Sequence, residues 1–157
     1  MVLSVLLLCG LWDTSIAQEQ RELFSKIEEV FRRHEPGWKI ERKSHGQTMD
    51  PVAESITLLR AGKRQASIEI LMWRRLEDAK ELFAGQVVIF DNIRGRTAVK
   101  RSLSNVGDEN YMWTNPHSTL WPAIYFRKGK VLVSVFASTL TVADRFARHV
   151  LEQIVAQ

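Results

Sequence analysis

The stretch that decides the fold is residues 121–137, WPAIYFRKGKVLVSVFA. Two apolar runs, Trp121–Arg127 and Lys130–Ala137, flank the dipeptide Lys128-Gly129. Glycine adopts positive φ at little cost, and a two-residue turn of this kind joins antiparallel strands. Proline cannot donate to a strand ladder, so Pro122 is expected at a sheet edge or at the first position of its strand. The stretch therefore predicts a β-hairpin.

A second hairpin is predicted upstream, from Ala53–Arg60 and Arg64–Trp73, joined across Ala61-Gly62-Lys63. Its second arm alternates between apolar and partly polar positions: Ala66, Ile68, Ile70 and Met72 against Ser67, Glu69 and Leu71. Side chains on a strand point alternately to opposite faces. One face is therefore expected to pack on a core while the other is partly polar.

Helical periodicity marks three further segments, at Glu19–His34, at Arg75 to about Gln86, and after a cap at Thr139 or Thr141. Val87–Phe90 is the end of the middle helix or a strand, and Asp91-Asn92 with Gly95 predicts a turn. Additional strands are predicted at Trp38–Arg42 and Thr97–Ser104, with a polar loop at His45-Gly46-Gln47 between the first strand and the upstream hairpin.

This order predicts one α+β domain, an antiparallel β-sheet of five to seven strands packed with three helices, N-terminal, middle and C-terminal. Helices are expected on one or both faces of the sheet.

The first 17 residues, MVLSVLLLCGLWDTSIA, predict a signal peptide, with the single domain at residues 18–157. The apolar run of about 11 residues is shorter than the roughly 20 of a membrane span, and small residues Ser15 and Ala17 mark a cleavage site. The protein is therefore expected to be secreted or periplasmic. Because no Lys or Arg precedes Arg21, the start lies upstream or the signal is weak. An ordinary buried N-terminal helix, or lipidation at Cys9 despite the preceding Leu8, are the alternatives.

The charge balance is basic, with 22 Lys and Arg against 18 Asp and Glu and a pI near 9.5. Scattered basic doublets favour anionic partners, so contact with anionic lipid or envelope polymer is one expectation. The same doublets are typical of solvated strand ends, and without a run of five like charges nucleic acid is not favoured. The only cysteine is Cys9, which excludes thiolate chemistry from the cleaved domain.

One motif adds specificity: Gly107-Asp108-Glu109-x-Tyr111, followed by the hairpin Ala123–Val135. Together they resemble small secreted or lipid-anchored bacterial domains of unknown function, often likened to the PsbP/Mog1 α/β/α sandwich. The resemblance covers about residues 104–155 and implies a fold and a compartment, but no reaction. From the residues themselves we expect a turn. Gly107 takes an unusual φ, Asp108 bonds backbone N–H groups, and Glu109 pairs with a basic neighbour.

Residues for chemistry are sparse. His34, His45, His117 and His149 lack the spacing of metal ligands, and there is no G-x-S-x-G and no Gly-rich phosphate loop. The sequence therefore predicts no metal and no cofactor. A small envelope hydrolase using Asp108, Glu109 or His117 remains one alternative.

Aromatic side chains concentrate around a predicted loop at Met112–His117, where they line a ligand cleft or fill the core. The favoured function is a non-catalytic extracytoplasmic domain that binds a small ligand or a protein partner. The candidate ligand-binding residues are Asp108, Glu109, Tyr111, Trp113, His117 and Trp121.

Overall fold

The computed structural model describes residues 3–44, 52–60, 63–94, 98–114 and 119–155, with side chains except at 3–17, 42–44, 52–55 and 94. Three helices are described: α1 (Leu3–His34), α2 (Leu76–Arg94) and α3 (Leu140–Val155). Seven strands are described: β1 (Lys39–Ser44), β2 (Val52–Arg60), β3 (Lys63–Met72), β4 (Val99–Arg101), β5 (Glu109–Thr114), β6 (Ala123–Lys128) and β7 (Val131–Ala137). The predicted α+β class, with three helices and an antiparallel sheet, is confirmed.

The sheet consists of two meanders that meet at its centre, in the order β1-β2-β3-β7-β6-β5-β4 with every pair antiparallel. At the seam, Ile68 lies opposite Val135 and Ile70 opposite Val133. Both predicted hairpins form, although Ala61-Gly62 lies outside the described residues. Because β6 lies between β5 and β7, the alternative of an edge at Pro122 is wrong. The proline directly precedes the strand, and its carbonyl accepts a hydrogen bond from the Ala137 N–H.

Helices α1 and α3 cover one face of the sheet and build the larger core. Phe31 and Phe146 meet there edge to face, with ring centroids 4.8 Å apart. The apolar arm of β3 faces this core, so the predicted alternation is confirmed. Its members are Ala66, Ile68, Ile70 and Met72. Thr139 caps α3 through its hydroxyl, which accepts a hydrogen bond from the Val142 N–H at 3.3 Å.

Helix α2 covers part of the opposite face. The chain must travel from β3 at the centre of the sheet to β4 at its far edge, so α2 crosses the second meander. It buries Phe83 and Val87 against Trp113, Tyr125 and Leu132. Helices therefore lie on both faces of the sheet, which makes a three-layer arrangement.

Two helices run further than their sequence patterns predict. Helix α1 begins at Leu3 rather than Glu19, so its backbone is continuous through the predicted cleavage position after Ala17. Helix α2 continues to Arg94, and the turn predicted at Asp91-Asn92 is wrong. The physical reason is that Phe90 still packs on the sheet and Asp91 accepts a hydrogen bond from a buried tryptophan. In the described part of the chain, no helix has the length and apolar character needed to cross a membrane.

The predicted loop at Met112–His117 is also wrong in its first half, because β5 extends to Thr114. Met112 faces the α1/α3 core and Trp113 faces the α2 core, so the segment alternates as a strand buried on both sides. The strand predicted at Thr97–Ser104 is shorter than expected, with β4 limited to Val99–Arg101. The predicted loop at His45-Gly46-Gln47 and His117 itself lie outside the described residues.

Candidate functional site

The Gly107-Asp108-Glu109 motif closes against the turn between β6 and β7. Gly107 has φ +67, and a Cβ at this position would lie 2.5 Å from the Arg127 carbonyl oxygen. The next residue, Asp108, donates its backbone N–H to that same carbonyl at 2.7 Å. Only glycine allows both the positive φ and this close approach. The predicted turn role of Gly107 is therefore confirmed. The backbone that it packs against belongs to Arg127, next to the turn between β6 and β7.

A buried arginine sits at the centre of this contact. Arg127 donates from Nε to Glu109 Oε2 at 2.6 Å, and from Nη1 to Asp108 Oδ2 at 3.3 Å and the Gly129 carbonyl at 2.8 Å. Charge-assisted hydrogen bonds of this kind are stronger than neutral ones. We call Asp108, Glu109, Arg127, Lys128 and Gly129 the Arg127 cluster. Its charges satisfy one another, and the predicted pairing of Glu109 with a basic residue is confirmed.

Asp108 is further held by the turn itself. Its carboxylate accepts from Lys128 Nζ at 2.7 Å and from the Gly129 N–H at 2.8 Å. Partial burial raises the pKa of Asp108, but these two hydrogen bonds and the charges of Lys128 and Arg127 outweigh it. The pKa of Asp108 therefore lies below its usual value. Such a carboxylate stays ionised and is a weak general acid or base near neutral pH.

Tyr111 and Trp113 lie further along β5, on the face covered by α2. Trp113 is fully buried, and its indole N–H donates to Asp91 Oδ1 at 2.7 Å. Tyr111 is half-buried, and Lys100 Nζ lies 4.3 Å from the centroid of its ring. The same ammonium bonds Asp91 Oδ2 at 2.7 Å. These contacts tie α2, β4 and β5 together and leave Trp113 no surface for a ligand.

The carboxylate that ties them is Asp91. Desolvation raises its pKa, but hydrogen bonds from Lys100 and Trp113 and the charge of Lys100 lower it by more. The pKa of Asp91 therefore also lies below its usual value, and its carboxylate is ionised in the folded protein at neutral pH.

Tyr125 is a buried neighbour that the sequence did not single out as a site. Its ring stacks on Phe83 with centroids 4.8 Å apart, and burial raises the pKa of its phenol. Its hydroxyl has no hydrogen-bond partner in the part of the chain that the structure describes. The ring fills the α2 core, which is the core-filling role weighed for the aromatic residues.

Trp121 lies at the opposite end of β6 and lines an open cavity of about 580 Å³. We call this cavity the Trp121 cleft. Its lining combines the last turns of α2, the segment before β6, and side chains of β3 and β7: Arg64, Phe90, Ile93, Thr119, Leu120, Trp121 and Phe136. Ligand cavities commonly enclose about 300–1,000 Å³ behind mainly apolar walls with a few polar groups. The cleft fits that description in size and in composition.

Apolar side chains stand at the mouth of the cleft rather than inside the protein. Ile93 is 62% exposed and Leu120 is 43% exposed. Phe90, at the inner wall, packs on Phe136 with centroids 5.9 Å apart and also contacts Trp113. The cleft therefore leads from solvent to the edge of the α2 core.

The structure separates the six predicted residues into groups. Asp108 and Glu109 join the Arg127 cluster, Tyr111 and Trp113 pack beneath α2, Trp121 lines the cleft, and His117 lies outside the described residues. Their binding roles stay predictions. The missed residues of the cleft are Arg64, Phe90, Ile93, Leu120 and Phe136. One signal was available, because Phe90 and Ile93 continue the helical spacing beyond Gln86, the last residue of the predicted helical pattern.

A further polar cluster joins α1 to α3. Glu35 is buried and pairs with Arg145 at 2.6 Å and with His149 at 3.3 Å, which connects the end of α1 to α3. Among the described residues, no group of three or more His, Cys, Asp or Glu is arranged to hold a metal ion.

Comparison with protein-family models gives no match, and comparison with curated proteins also gives none. Among solved structures, the chain is similar to a crystal structure described as a GTP binding regulator from Thermotoga maritima. The two share 12% sequence identity over 82% of this chain and 84% of that chain, with a TM-score of 0.44. A likeness at this level carries no argument about function, which therefore rests on the geometry of the site.

Proposed function

We propose that this protein is a non-catalytic extracytoplasmic binding domain that holds a small, largely apolar ligand in the Trp121 cleft. The observation that carries the proposal is the open cavity of about 580 Å³, with Ile93 and Leu120 exposed at its mouth. A ligand seated there would remove their apolar surface from water, at roughly 25 cal/mol for each Å² buried.

The chemistry of the charged residues favours binding over hydrolysis. Asp108 and Glu109, the carboxylates of the hydrolase alternative, are bonded to Arg127, and Asp108 is also bonded to Lys128. A general acid or base works best with a pKa near the operating pH. Because the pKa of Asp108 is lowered, this pair supports the fold better than it supports proton transfer.

The proposal is tested by titrating the protein with N-phenylnaphthylamine, a neutral apolar dye that fluoresces when it enters an apolar site. Ile93→Ser removes apolar surface from the mouth of the cleft and is expected to weaken binding about fivefold. The matched control is Val88→Ser, since Val88 is 59% exposed on the same helix but does not line the cleft. Control and wild type are expected to bind equally.

Two results would contradict the proposed function. One is the absence of saturable dye binding by the wild-type protein. The other is an equal loss of affinity in Ile93→Ser and Val88→Ser, which would mean that the dye binds α2 generally. Trp121→Ala provides a second variant at the inner wall, with circular dichroism checking that the sheet is retained.

The extracytoplasmic part of the proposal is supported by residues 1–17 of the sequence. Expression of the full chain in a bacterium and intact-mass measurement of the product test it directly. We expect a chain that begins at Gln18 and is found outside the cytoplasm. A product with the mass of the full chain, retained in the cytoplasm, would overturn this part and leave the binding proposal standing.

A further inference from the structure

We infer that the ligand of the Trp121 cleft is an anionic amphiphile, an apolar body that carries one negatively charged group, and that Arg64 binds this group. The inference rests on the proposed function. It concerns a single free molecule, because the cavity of about 580 Å³ is the size of a small-molecule site.

Among the described residues that line the cleft, Arg64 is the one with a formal charge. Its guanidinium carbon lies 5.9 Å from the centroid of the Trp121 ring. Within the described ranges, no carboxylate lies at ion-pair distance from Arg64. Arginine binds carboxylate, sulfonate or phosphate groups through paired N–H donors, and an adjacent aromatic ring steadies its plane. The cleft thus combines an apolar wall with one cation that is available to an anion.

A β-bulge points Arg64 towards the cleft. Leu58 pairs with Ala66 and Leu59 pairs with Arg64, so Gln65 is an extra residue without a cross-strand partner. In an unbroken strand Arg64 would share the face of Ala66, which belongs to the α1/α3 core. The extra residue moves Arg64 to the α2 face, beside Trp121. Bulges often redirect a side chain towards a functional site.

The placement of Arg64 also sets which way round the ligand lies. Arg64 belongs to β3, whereas the apolar side chains of Phe90 and Ile93 belong to α2. The apolar body of the ligand therefore lies along Phe90 and Ile93, with its charge on the β3 side.

The test compares two dyes of nearly the same shape, anilinonaphthalene sulfonate and the neutral N-phenylnaphthylamine. Arg64→Gln is expected to weaken sulfonate binding about tenfold and to leave binding of the neutral dye within twofold of wild type. Lys63→Gln is the matched control, because Lys63 is the neighbouring cation on the same strand and does not line the cleft. It is expected to change neither affinity.

Every other outcome overturns the anionic inference, either alone or together with the proposed function. If the neutral dye binds wild type and depends on Ile93, but Arg64→Gln leaves sulfonate binding unchanged, the anionic inference fails and the proposed function stands. If neither dye binds wild type, both fail. If Arg64→Gln weakens only sedimentation with phosphatidylglycerol vesicles, Arg64 serves a membrane surface and the inference is overturned. Equal weakening for both dyes would assign Arg64 a packing role instead.

Discussion

The two ends of strand β6 differ in what they leave unsatisfied. At its C-terminal end, Arg127 is buried and bonded to Asp108, Glu109 and the Gly129 carbonyl. Two positions before its N-terminal residue, Trp121 lines an open cleft, and the nearby Arg64 has no described carboxylate partner. At the C-terminal end the polar groups bond one another, whereas the N-terminal end presents apolar surface and one cation to solvent.

This difference separates residues that hold the fold from residues that we propose bind a ligand. The Arg127 cluster carries the more conspicuous motif, yet its hydrogen-bonding groups are directed at one another. The Trp121 cleft has no motif, yet it keeps large apolar side chains exposed, which costs free energy unless a ligand covers them. Exposed apolar surface, rather than the motif, is therefore the basis of the proposed binding site.

The largest expected effect is on stability, at the Arg127 end. Gly107→Ala places a Cβ 2.5 Å from a carbonyl oxygen at φ +67, so we expect the free energy of unfolding to fall by about 3 kcal/mol. Gly129→Ala is the control, because φ is +56 there but no atom lies within 4 Å of the added Cβ. It is expected to cost about 1 kcal/mol.

Urea denaturation of both variants measures the difference. Equal losses would mean that the backbone adjusts around the Cβ at position 107 and that the turn is less constrained than the distances imply. A fall at Gly107→Ala without loss of dye binding in the surviving folded fraction would keep the two ends of β6 functionally separate.

A smaller effect is expected from Arg127→Met, which keeps an unbranched apolar stem and removes the charge-assisted hydrogen bonds of the guanidinium. We expect the free energy of unfolding to fall by about 2 kcal/mol, because these hydrogen bonds are lost. The loss is no larger because the partners Asp108 and Glu109 remain partly hydrated. Affinity for N-phenylnaphthylamine should stay at the wild-type value, since the cleft lies at the other end of the strand. Weakened dye binding would instead show that the two ends of β6 are coupled.

The smallest effect concerns pH. Since the pKa of Asp108 is lowered in the folded state, its contribution to stability is present above the unfolded-state pKa of about 3.9 and is lost as pH falls through the lower folded value. Asp108→Asn should therefore flatten the decline of the urea midpoint between about pH 5 and pH 2. Asp91→Asn, where the pKa is also lowered, should flatten it independently. If the urea midpoint of both variants declines at acid pH as it does in the wild type, the lowered pKa values of Asp108 and Asp91 are contradicted.

The turn contacts at the Arg127 end could be predicted from the sequence, whereas most of the cleft lining could not. The turn role of Gly107 and the pairing of Glu109 followed from local chemistry, and the structure supplied Arg127 as the partner. The cleft was missed because its lining comes from β3, α2, β7 and the segment before β6, which are far apart in sequence. Of that lining, Trp121 alone was predicted as a ligand-binding residue.

The elements themselves follow from local sequence: alternating apolar positions specify strands, helical spacing specifies helices, and Lys128-Gly129 specifies a turn, all through contacts between near neighbours. The order of the strands, the length of α2 and the partner of each charge depend on the tertiary structure. Asp91 lies in helix α2 rather than in a turn because the indole N–H of Trp113, 22 residues away, donates a hydrogen bond to its carboxylate. Arg64 faces the cleft because the pairing of β2 with β3 includes one extra residue. Such long-range pairings depend on which surfaces are buried together, and no local spacing records that.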